Sequence, residues 1–174
     1  LNGATGSVKD YYLETSYNQF NLTVDVVGPF TSANNKESYT NNGRILAREG
    51  VLAANPQVNF AEYDNDNDGY VDAVYVIFAG YGREAGGPSW AIWSHASSMS
   101  STSVDGVIAS RYSCSPELRG NTGQNITNIG VICHEFGHVL GALDYYDTDY
   151  ETGGEFVGTG QWDMMADGSW NNNG

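Results

Sequence analysis

Two of the three histidines in this chain stand four residues apart with a glutamate between them, in the stretch CHEFGHVLGALDYYD at 133–147. On an α-helix that spacing puts both side chains on one face, within about 40° of each other. Ile129, Ile132, Phe136, Val139 and Leu140 fall on the opposite side, so the pattern predicts a helix over about 128–140, capped by Thr127. Such a helix buries one stripe and presents two imidazoles with the other. Neutral imidazole nitrogens at this separation suit one tetrahedral zinc ion, and Glu135 sits where it can reach a metal-bound water. The helix must also carry Gly130 and Gly137, each about 1 kcal/mol worse than alanine, so something other than helix stability shapes it. The bland alternative is a pair of hydrogen-bonded histidines on an amphipathic helix.

A catalytic zinc takes three protein ligands and keeps one position for water. Gly141 can adopt a left-handed conformation, ending the helix and turning the chain back. Three residues on, where the pattern H-E-x-x-H-x-x-G-x-x-H has its last histidine, this sequence has Asp144. A carboxylate oxygen is an acceptable ligand, and Asp144 is the expected third. Asp147, Glu151, Glu155 and His95 stay as alternatives, although a ligating glutamate needs a second helix and DYETGGEFVGTG at 149–160 is too rich in glycine to form one. Met165, with Met164 second, is the candidate for a methionine turn beneath the ligands.

A second acidic pattern lies in EYDNDNDGYVDAVYV at 62–76. Asp64, Asp66, Asp68, the Tyr70 carbonyl and Asp72 follow the spacing that wraps oxygens around calcium, with Gly69 at the sharp turn. Position twelve is Tyr75 rather than glutamate and a strand follows, so this is a calcium-type loop outside an EF-hand; the alternative is a solvated acidic turn. The 21 acidic residues against 7 basic ones, net −14, fit a protein that binds cations and argue against nucleic acid or an anionic membrane as partner. No apolar run approaches the roughly 20 residues of a transmembrane helix, and no leader precedes Leu1, so a mature or excised segment is expected. The two cysteines, Cys114 and Cys133, are expected to form one disulfide in an exported protein, worth on the order of 3 kcal/mol.

The 174 residues are expected to form one domain over 1–174. The coarse order of elements is α, β, α, β, β, β, α, an α/β or α+β sheet with helices against it. The expected elements are a Ser7-capped helix, a strand in FNLTVDVVGPF at 20–30, and a backing helix with Ile45, Leu46, Val51 and Leu52 on its apolar face. A central strand follows in DAVYVIFAGYG at 72–82, then two strands, WAIWSHASS at 90–98 and GVIASRYSC at 106–114, joined by a serine-rich turn. After Gly141 only turns are expected, with Trp162 and Trp170 as anchors.

The stretches GATGSVKDYYLETSYNQF, DNDNDGYVDAVYVIFAGYG, AIWSHASS, IGVICHEFGHVLGALDYYDTD and WDMMADGSW together resemble the secreted bacterial immune inhibitor A-like metalloproteases over nearly the whole chain. The resemblance implies a monomeric zinc endopeptidase of zincin or metzincin-like fold, with a twisted sheet, a backing helix, an active-site helix and a cleft above a methionine turn. It also implies export within a larger precursor. His134, His138 and Asp144 are then the ligands, Glu135 the base, and an extracellular protein or peptide the substrate. Two departures stand out: aspartate replaces the third histidine, and Asp167 stands where a tyrosine would follow Met165, leaving the transition-state stabiliser without a candidate. The lower C-terminal part of the domain is expected to be incomplete. The rival readings are a non-catalytic, calcium-stabilised adhesion or carbohydrate-binding module, which has no need of Glu135, and a zinc amidase with a closed pocket.

Overall fold

The computed structural model describes residues 6–171; the ends of the expected domain lie outside them. The chain is a mixed α+β fold with a three-stranded sheet and three α-helices among the described residues. Helix α1 (Val8–Thr15) starts at Ser7 as expected, through a reciprocal capping box: Ser7 Oγ accepts from Asp10 N at 3.1 Å and Asp10 Oδ2 accepts from Ser7 N at 2.9 Å. Helix α2 (Gly43–Ala54) precedes strand β1 (Tyr75–Tyr81), the hairpin β2 (His95–Val104) and β3 (Val107–Leu118), and helix α3 (Ile129–Val139).

Strand β3 is the centre of the sheet, parallel to β1 and antiparallel to β2, with Ser113 opposite both Tyr75 and Ala96. The expected central strand, β1, is therefore an edge of the described sheet, and Ile77 is half exposed. The serine-rich turn is also displaced. Trp90–Ser94 is irregular, the serines belong to β2, and the hairpin closes at Asp105-Gly106, both with positive φ (51° and 89°), the two-residue turn that an Asp-Gly pair favours. No strand forms over 20–30. Its β-branched residues have no partner strand, and Val26 is 92% exposed.

Side-chain alternation on β3 assigns the two helices to opposite faces. Tyr112 and Cys114 join the core with Ala47 and Val51 of α2, while Ser113 Oγ donates to the Glu135 carbonyl of α3 at 3.0 Å. The buried stripe of α2 is Gly43, Ala47, Val51 and Ala54, whereas Ile45 and Leu52 are half exposed. Small residues win this face because they let the helix approach the sheet: a Cβ on Gly43 would stand 2.8 Å from His95 Cε1. The same layering overturns the expected disulfide. Cys114 belongs to the α2-side core and Cys133 to α3 on the other side of the sheet, and both are free, buried thiols. Two further expectations fail: Asn128 rather than Thr127 precedes α3, without a side-chain cap, and Trp162 is 98% exposed rather than an anchor. No described helix is long and apolar enough to cross a membrane.

Candidate metal centre and active site

Helix α3 buries Val131, Cys133 and Phe136 and brings His134 and His138 to a common point. The histidines are held from behind. The Nδ1 of His134 lies 2.9 Å from the Met164 carbonyl, and that of His138 lies 3.0 Å from the Ala142 carbonyl. Each carbonyl can only accept, so each Nδ1 carries the proton and each Nε2 presents a bare lone pair. Gly141, at φ 90°, ends the helix: its N–H donates to the His138 carbonyl and that of Ala142 donates to the Gly137 carbonyl. This bend returns the chain to the histidines.

Asp144 Oδ1 then lies 3.2 Å from His134 Nε2 and 3.4 Å from His138 Nε2. It is buried and makes no hydrogen bond with adequate geometry to either nitrogen. With both imidazoles neutral, three lone-pair-bearing atoms face one another, an arrangement that costs free energy unless a cation lies among them. The separations fit such an ion, because tetrahedral zinc with bonds of about 2.0–2.1 Å holds its ligand atoms about 3.3–3.4 Å apart.

Glu135 is buried beside this group, and its backbone carbonyl accepts the hydroxyl of Ser113, the β3 partner of Ala96, at 3.0 Å. Burial, with the Asp144 and Glu84 carboxylates adding to it, pushes its carboxyl up to about 8. Glu84 is held by the Ser94 N–H at 3.1 Å and the Ser94 hydroxyl at 2.5 Å. Beneath α3 lies Met165, buried; a Cβ on Gly137 would stand 2.5 Å from its Sδ. That close approach is the reason the helix carries Gly137. The Met165 carbonyl accepts from Tyr145 N at 2.9 Å, tying the Met164–Met165 turn to the Asp144 segment.

Tyr146 is the residue that the sequence reading missed. Burial and the neighbouring Asp144 charge push its hydroxyl up to about 12, and its ring lies 6.4 Å from that of His134. The available signal was its position two residues after Asp144 on an extended segment, where alternate side chains share a side. The remaining ligand candidates point elsewhere. His95 lies on the α2 face, with Nδ1 2.7 Å from the Trp93 carbonyl and Nε2 2.7 Å from Tyr112 Oη. Asp147 accepts the N–H groups of Asp149 and Tyr150, and Glu151 and Glu155 are exposed.

In the acidic loop, oxygens of Asp64, Asp66 and Asp68 gather within 4.8 Å of one another, with Gly69 at φ 86°. Asp72 lies apart from that group and accepts from Asn65. The Tyr70 region is pinned to β3 by hydrogen bonds of Gly69 and Val71 with Ile108.

Two imidazoles, a carboxylate and a buried glutamate brought to one point mark the metallopeptidase class. The family comparison narrows this: residues 2–174 match the family described as immune inhibitor A peptidase M6, catalytic domain, and the chain belongs to that family. It is similar to the pre-pro-metalloprotease PrtV of Vibrio cholerae serotype O1, with 33% identity over 196 aligned residues covering 94% of this chain and 21% of that protein. It is also similar to immune inhibitor A of Bacillus thuringiensis subsp. alesti, with 34% identity over 134 residues covering 64% of this chain and 18% of that protein. The chain thus spans about a fifth of the length of these relatives.

Proposed function

We propose that this domain is a zinc-dependent endopeptidase of zincin or metzincin-like architecture, exported by a bacterium and acting on extracellular proteins. The observation that carries the reading is the convergence of His134 Nε2, His138 Nε2 and the unpartnered Asp144 Oδ1. These three residues hold the zinc, and the ion, when bound, supplies Lewis acidity to the scissile carbonyl and the attacking water. Glu135 takes the proton of that water and passes it to the leaving amine. Met165 forms the floor beneath the ligands. A substrate lying antiparallel to the edge of β2 meets Glu135 level with Ala96, where main-chain hydrogen bonds can hold it with little sequence preference. Asp64, Asp66 and Asp68 form a separate calcium site that stabilises the loop entering β1, without the expected Tyr70 and Asp72. Family membership and the naming of one relative as a pre-pro-metalloprotease support export.

The test is Glu135→Gln. It should retain one equivalent of zinc by elemental analysis and lose hydrolysis of a quenched fluorescent peptide; cleavage at the wild-type rate removes Glu135 from the mechanism.

A further inference from the structure

We propose that the groove between α2 and the free edge of β2 is a subsite for an acidic side chain of the peptide substrate, four to five residues to the amino-terminal side of the cleaved bond. The inference rests on the peptidase reading above.

The groove, about 460 Å³, is lined by Arg44, Ile45, Arg48 and Glu49 of α2 and by Ser100 and Ser101 of β2. Two of the seven basic residues of a chain with net charge −14 therefore stand together. Spaced four apart, the two guanidiniums share one helix face, where like charges destabilise a helix, and Arg44 in the first turn also opposes the helix dipole. Among the described residues neither is within salt-bridge distance of a carboxylate. Glu49 is committed elsewhere, accepting from Tyr39 Oη at 2.8 Å and Ala33 N at 3.1 Å. A basic pair kept against local helix preference and without an acidic partner in so acidic a chain is complementary to an incoming carboxylate.

Its place along the cleft fixes which substrate residue it meets. Ser113, which pairs with Ala96 across the β2–β3 ladder, donates its hydroxyl to the Glu135 carbonyl, so the bond to be cleaved lies level with Ala96. Ser100 and Ser101 are four and five residues further along β2, about 13–17 Å away at the strand rise. The β2–β3 register shifts between Ser98 and Thr102, and Ser100 and Ser101 are both exposed there, so consecutive hydroxyls line the groove. A peptide antiparallel to β2 runs toward Ser100 in its amino-terminal direction. Its side chain at the fourth or fifth position before the cleaved bond then meets Arg44 and Arg48.

The experiment uses the full zinc-loaded chain and quenched peptides that differ only in carrying Asp or Asn, placed in turn at the fourth and fifth positions before the cleaved bond. One Asp peptide should show a kcat/KM about 3–10-fold above its Asn twin, as expected for solvent-exposed pairing with two arginines, and the ratio should shrink with added salt. In R44Q/R48Q the ratio should fall to about one, and in R44E/R48E it should invert. Cleavage without an Asp preference at either position, or a preference that survives R44Q/R48Q, overturns the subsite alone. Failure to cleave any of the peptides overturns the peptidase reading and the subsite with it.

Discussion

Gly137 of α3 leaves no room for a side chain beside the Met165 sulfur, and Gly137→Ala tests that packing. Alanine improves on glycine in a helix by about 1 kcal/mol. Here the new methyl would sit 2.5 Å from Sδ and 3.3 Å from Cε of Met165, well inside the 3.5–4.0 Å of an ordinary contact. Met165 is buried, so its sulfur retreats only by disturbing its neighbours, which costs about 1–3 kcal/mol. The net expectation is a loss of about 0–2 kcal/mol. Gly50, in the middle of α2, is the control, because a Cβ there meets nothing within 4 Å and Gly50→Ala should stabilise by up to about 1 kcal/mol. In a Met165→Ala background the obstacle is gone, and Gly137→Ala should become stabilising, giving a coupling of about 1–3 kcal/mol. Urea denaturation followed by circular dichroism, at fixed metal content, reads all five proteins. Because the Met164 carbonyl orients His134, Gly137→Ala should also weaken zinc binding, whereas Gly50→Ala should not. If Gly137→Ala stabilises as much as Gly50→Ala, with coupling near zero, the methionine does not support the helix and the account of Gly137 is wrong.

Tyr146→Phe removes the phenol beside Asp144, and zinc affinity in a competition titration should drop about 10–100-fold with the fold intact; unchanged affinity would remove Tyr146 from the site. The buried thiol of Cys114 is pushed up to about 12, so at pH 8 only about one molecule in 10⁴ carries the thiolate there. Reactivity rises only as the pH approaches that value. The native protein should therefore resist a thiol reagent at pH 8 and titrate two thiols once unfolded without reductant; a count of zero would restore the disulfide. Calcium should raise the melting temperature of the wild type, and Asp66→Asn should diminish that gain, because calcium relieves the repulsion among carboxylates gathered within 4.8 Å. Equal gains in both proteins would exclude the loop as the site.

The features readable from the sequence are those that a short stretch of backbone sets by itself. A helix places residues four apart on one face whatever surrounds it, so His134, His138 and Glu135 were legible at once, as were the capping box of α1 and the left-handed Gly141. The acidic loop was legible for the same reason, since the turn at Gly69 gathers Asp64, Asp66 and Asp68 locally. Strand order, burial and long-range pairing belonged to the tertiary structure. The run 72–82 looked central and lies at an edge, and the β-branched run 20–30 found no partner, because strand pairing depends on distant segments. Cys114 and Cys133 looked pairable until the sheet came between them. Asp144 was nameable from spacing, but its approach to both imidazoles depends on the packing of Tyr145 against Met165, and Tyr146 emerged only with that packing. Local backbone geometry chose which atoms can offer lone pairs; only the folded core could bring them to one point.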